Sequence, residues 1–74
     1  MAEEVLRAEV RRLESEEKAQ EKKVRLKQAY VERARLKRDS KRIKKTEAEE
    51  EHARAVLQKI QAEKKHAETG LLIL

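Results

Sequence analysis

Two apolar stripes run through this chain, and they are out of phase. In the first, Val10, Glu17, Val24 and Val31 recur every seven residues, each followed three positions later by Leu13, Gln20, Lys27 or Ala34. In the second, Ile43, Glu50, Leu57, Lys64 and Leu71 are followed in the same way by Thr46, Ala53, Ile60, Ala67 and Leu74. Five of the eight positions in the first stripe and seven of the ten in the second are apolar, so the second is the stronger seam. Heptad spacing of this kind marks helices that pack along one edge. Val31 and Ile43 are twelve residues apart, which at about 100° per residue turns the second stripe roughly 120° away from the first. Continuous coiled coils absorb insertions of three or four residues, and the shift here is five. One straight seam cannot serve both stripes, so a helix built from this sequence either changes partners in its middle or breaks there.

That the chain is helical follows from its residue types. It has no Pro, a single Gly at position 70, and an abundance of Ala, Glu, Lys, Arg, Leu and Gln, the residues that lose least on entering a helix. Glu3 and Glu4 suit the positive end of a helix dipole, and Lys64, Lys65 and His66 suit the negative end. Tyr30 is the only aromatic residue, so 74 residues cannot build a self-contained globular core. The expected fold is all-α: a single long extended helix over residues 1–69, coiled-coil-forming, with a basic centre at 22–45 and a coiled-coil-like segment from residue 43. Such a helix is on the order of 100 Å long. Gly70 is the expected stop, leaving 70–74 as an apolar C-terminal tail that docks on a partner or extends the seam. The alternative is an antiparallel helical hairpin that breaks near Asp39-Ser40, where both side chains compete for local backbone hydrogen bonds. Neither Gly nor Pro marks a turn at that point.

The basic centre is the second constraint. Between Lys22 and Lys45 twelve Lys or Arg residues face only Glu32 and Asp39. Like-charged pairs four residues apart, such as Arg33 and Lys37 or Arg38 and Arg42, each destabilise an isolated helix by a few tenths of a kcal/mol. Favourable pairs such as Glu3 and Arg7 or Glu50 and Arg54 lie outside the block. A charge run is commonly no more than a solvated helix face, but one of nearly pure sign points to an external anion. The candidate anion-binding residues are Arg33, Arg35, Lys37, Arg38, Lys41, Arg42, Lys44 and Lys45. Nucleic-acid phosphates are one candidate, and an acidic protein surface is the other. A basic-leucine-zipper reading fails, because the basic stretch lacks the Asn that reads base edges and the zipper leucine expected near residue 50 is Glu50.

Catalytic and metal chemistry find no support. The chain has no Cys, His52 and His66 are too far apart to share a metal on one helix, and Ser15 and Ser40 have no His within helical reach to act as base. One Gly excludes a glycine-rich phosphate loop. The expectation is a non-enzyme with no cofactor. No apolar run approaches a membrane span and no signal peptide is visible, which predicts a soluble intracellular protein that does not engage membranes. The expected function is that of a structural or interaction protein, a coiled-coil helix bridging partners in a larger assembly. Its packing seam comprises Val10, Leu13, Val24 and Val31, then Ile43, Ala53, Leu57, Ile60, Ala67, Leu71 and Leu74, and its basic patch adds a second contact. The alternative is a basic helix that binds nucleic acid, RNA in or near a ribosome or DNA, non-specifically through phosphates.

Overall fold

The computed structural model describes residues 2–73 and contains two helices, α1 (Ala2–Leu36) and α2 (Ser40–Ile73), joined by Lys37, Arg38 and Asp39. They fold back on one another into an antiparallel hairpin with extents of 55 × 14 × 12 Å. The single extended helix expected over residues 1–69 therefore does not form, and the hairpin takes its place. The reason lies in the phase offset: reversing the chain gives each stripe the other as its partner, which a straight rod cannot do.

The reversal is built from backbone hydrogen bonds. Asp39 N–H donates to the Ala34 carbonyl at 3.3 Å and Arg38 N–H to the Arg35 carbonyl at 3.1 Å. This is the Schellman pattern that closes a helix C-terminus, with Arg38 at the left-handed position. Its φ of 53° is the value glycine supplies most cheaply, so an arginine here carries a cost of roughly 1–2 kcal/mol. Asp39 then caps the next helix: its Oδ1 accepts from Arg42 N–H at 3.2 Å, and its carbonyl accepts the first helical bond, from Ile43 N–H, at 2.9 Å. One residue thus completes α1 and starts α2. The turn falls one step before the expected Asp39-Ser40 break, and Ser40 already belongs to α2.

The seam is asymmetric in size. From α1 it buries Leu13, Val24, Val31 and Ala34, with Leu13 fully enclosed, while α2 answers with Ala53, Ala67 and Thr46. Small residues on one helix let the larger ones on the other approach its backbone, the interdigitation that keeps a thin core dense. Thr46 turns its hydroxyl to its own helix, donating to the carbonyls of Arg42 at 2.7 Å and Ile43 at 3.1 Å, and so presents its methyl to the seam. Val10, Ile43, Leu57, Ile60 and Leu71 are half-buried along the edges.

Gly70 does not stop α2, which runs on to Ile73. A Cβ at this position would lie 3.4 Å from Leu6 Cδ1, so the glycine faces the Leu6 side chain near the start of α1. Leu71 is half-buried, whereas Leu72 and Ile73 are 88% and 80% exposed. Leu74, the last expected seam residue, lies outside the described residues. No described helix is long and apolar enough to cross a membrane.

Candidate anion-binding turn

The hairpin gathers the basic block at one end. Arg33 and Arg35 lie in the last turn of α1, Lys37 and Arg38 in the link, and Lys41, Arg42, Lys44 and Lys45 in the first two turns of α2. All eight are exposed. Among the described residues only Arg35 has a carboxylate within ion-pair range, Glu47 at 3.1 Å, and that pair is well exposed. Lys37, Arg38, Lys41 and Arg42 have Asp39 as their nearest carboxylate in sequence, and Asp39 is engaged as the cap of α2.

Helix dipoles sharpen this imbalance. α1 follows the usual rule, with Glu3 and Glu4 in its first turn and Arg33 and Arg35 in its last. α2 breaks it, with no acidic residue in its first turn and Lys41 and Arg42 beside the positive end of its dipole. Cations near a helix N-terminus are unfavourable by a few tenths of a kcal/mol or more each. Local preference therefore does not explain the start of α2; the Asp39 cap and the packing of the stripe hold it there. The end of the hairpin carries a positive field that an incoming anion would relieve.

The seam holds charge as well. Gln20 is buried and its Nε2 donates to the Ala53 carbonyl at 2.9 Å. Lys64 reaches back across the hairpin to Glu17 at 3.2 Å, with Glu14 at 4.0 Å and Glu68 at 3.9 Å completing a carboxylate ring. The hydrogen bond to Glu17 is the main reason that the Lys64 ammonium titrates above its ordinary 10.5; partial burial opposes it, and the charges of Glu17, Glu14 and Glu68 add to it. Lys27 pairs with Glu49 at 3.1 Å and lies 5.7 Å from the centre of the Tyr30 ring. Each of these polar seam residues thus has a partner on the opposite helix, and among the described residues no buried side-chain polar atom is left without one.

The expected seam residues are brought together within the molecule. Val10, Leu13, Val24 and Val31 of α1 face the stripe of Ile43, Ala53, Leu57, Ile60, Ala67 and Leu71 of α2, so these side chains are occupied by each other. The expected anion-binding residues are brought together as well, but around a turn rather than along a rod. Glu17, Gln20, Asp39 and Lys64 escaped sequence reasoning as contacts. Their signal was present as polar residues at seam positions, legible only once the two stripes are set antiparallel. His52 and His66 are both exposed on α2, and among the described residues no three His, Asp or Glu side chains converge as metal ligands would. No protein-family model matches the chain, and no curated protein or solved structure matches it.

Proposed function

We propose that this chain is a non-enzymatic interaction protein, a helical hairpin that joins a larger assembly by setting its basic turn against a polyanion, and that the polyanion is nucleic acid. One observation carries the choice: the cations encircle the turn. Taking Val10 and Ile43 as position a of the heptad, Arg33 and Lys45 fall at c, Lys37 and Arg42 at g, Arg35 at e and Lys44 at b, so both sides of the hairpin are basic at this end, with Lys41 outermost and Arg38 at the apex. A flat acidic protein surface engages one side of such an end. Phosphates of a folded strand or of a groove approach it from several directions. The recognition expected is electrostatic and independent of sequence, since Tyr30 is the only side chain suited to stacking on a base.

The test is fluorescence anisotropy with a structured RNA and with a mixed-sequence DNA duplex, over a series of salt concentrations. Six to ten phosphate contacts lose about a thousandfold or more in affinity between 50 and 200 mM salt. A variant with Arg35, Arg38, Lys41 and Lys44 all changed to Gln should bind far more weakly and with a shallower salt slope. Binding to nucleic acid no tighter than to polyglutamate of equal charge overturns the choice of anion.

A further inference from the structure

The two long sides of the hairpin are unlike. On the e and b side, every position from Glu4 to Glu68 except Ser40 is charged or Gln. The g and c side holds Val5, Leu26, Tyr30 and Ile73, four of the six large apolar residues left exposed among the described residues; Leu36 is outermost on α1, and Leu72 alone of the six falls on the charged side. The same side carries three grooves, of about 320, 580 and 410 Å³ in order from turn to termini. Each is bordered by g residues of both helices: Tyr30 with Arg42, Lys23 with Val56, and Glu9 with Gly70. The apolar lining of the middle groove includes Ala48, Ala53 and Val56. A face that is grooved, partly apolar and as long as the molecule is shaped to receive further helices.

We propose that a second copy of this chain covers that face, antiparallel to the first, so that two hairpins form a four-helix bundle with twofold symmetry. Charge sets the direction. Between the turn and the Gln20–Ala53 crossing, the g and c positions carry Lys23, Arg33, Lys37, Arg42 and Lys45 against Glu49 alone. Between that crossing and the termini they carry Glu9, Glu16 and Glu63 against Arg12 and Lys59. A parallel pair sets the basic halves against each other, while an antiparallel pair sets each basic half on the acidic half of its mate and leaves Arg35, Arg38, Lys41 and Lys44, which lie off that face, open to phosphate.

Register agrees with this. Gln20 donates to Ala53 near the middle of the rod, and Tyr30 lies ten residues from Gln20 toward the turn while Glu9 lies eleven toward the termini. Arg42 lies eleven residues from Ala53 toward the turn, and Glu63 ten toward the termini. A twofold axis through the crossing therefore brings Tyr30 and Arg42 of one copy level with Glu9 and Glu63 of the other. Area agrees as well: the 55 × 14 Å extent gives a footprint of about 770 Å² per copy, close to the roughly 800 Å² per partner of a standard stable interface. Two-fold, self-complementary pairing is also the commonest way for identical chains to associate.

Sedimentation equilibrium without nucleic acid tests the pairing, and its outcome is independent of any affinity of the turn for phosphates. The wild-type chain should sediment as a dimer in the micromolar range. Leu26→Lys, at a position half-exposed in the hairpin, should weaken the dimer at least tenfold while leaving the helical circular dichroism unchanged. Because the chain lacks cysteine, Val5→Cys and Lys37→Cys report direction: an oxidised mixture of the two variants should give a crosslinked mixed dimer that neither gives alone. Efficient crosslinking of each variant by itself overturns the antiparallel arrangement. A wild-type chain that stays monomeric at hundreds of micromolar overturns the proposal and leaves a helix of another protein as the occupant of the face.

Discussion

The Gln20 carboxamide donates to the main-chain carbonyl of Ala53 at 2.9 Å across the seam, a bond between residues 33 positions apart that fixes one helix against the other. A buried polar residue at a seam position commonly specifies register and partner, with some loss of stability. Gln20→Ala should destabilise the hairpin by about 1–2 kcal/mol, the worth of the bond together with the lost packing. Gln20→Glu keeps the shape but sets a carboxylate oxygen against a carbonyl oxygen, and should cost more than the alanine at pH 7. Protonation makes the side chain a donor again, so this variant alone should recover relative to wild type as pH falls through the carboxyl range. Thermal unfolding at pH 7 and pH 3.5 separates the two variants.

The turn predicts opposite outcomes for neighbouring residues. Arg38 has φ 53°, so Arg38→Gly should stabilise the hairpin by about 0.5–1 kcal/mol, the relief of strain less the added freedom of the unfolded chain. Arg38→Val should destabilise it by more than that. Asp39→Ala removes the bond to Arg42 N–H and should cost about 1 kcal/mol, as loss of a helix cap generally does. Urea titration followed by circular dichroism measures all three.

Among the described residues, Leu13 is the one large side chain that the seam encloses completely. Leu13→Ala should cost about 2–4 kcal/mol, a large share of what a core this thin supplies. The variant should lose most of its helical signal at 25 °C. Replacing Leu57 and Ile60 together with Ser should do the same, because both residues lie along the seam within the hairpin.

Lys64 sets a pH dependence at the alkaline end. Its hydrogen bond to Glu17 and the neighbouring carboxylates raise its titration above 10.5. A group whose folded titration point is raised contributes stability that is fully present below the unfolded value and is lost as pH rises through the folded one. Wild type should therefore be more stable than Lys64→Met by a constant margin from neutral pH to about 10, and the margin should close above pH 10.5. Parallel thermal unfolding of the two proteins across pH 7 to 12 reads this directly.

Helix type and seam membership were legible in the sequence because both depend on local periodicity. Every seam position of α1 from Val10 to Ala34, and every described one of α2 from Ile43 to Leu71, is buried or half-buried. The 120° offset between the stripes also signalled that a straight rod was in difficulty. The turn was legible only as the alternative break near Asp39-Ser40, since the usual marker is glycine and the left-handed position is held by Arg38. Its other marker, Asp39 as a cap, is a weak signal in a chain this rich in charge. The contacts of Gln20 with Ala53 and of Lys64 with Glu17 were concealed for a different reason. They join residues 33 and 47 positions apart, and only the direction of the second helix decides whether they meet.

The phase offset between the stripes has one more consequence. A three-residue link with a strained residue is the setting in which hairpins exchange arms, opening so that each helix pairs with that of a second molecule. Arg38 needs only to return to right-handed backbone for α1 and α2 to become one continuous rod. In that rod the two stripes point about 120° apart, so two opened chains cannot close both seams against each other at once. The mismatch that rules out a straight dimer therefore also guards the closed hairpin against domain exchange, and a five-residue shift, unremarkable as sequence, keeps this fold within a single chain.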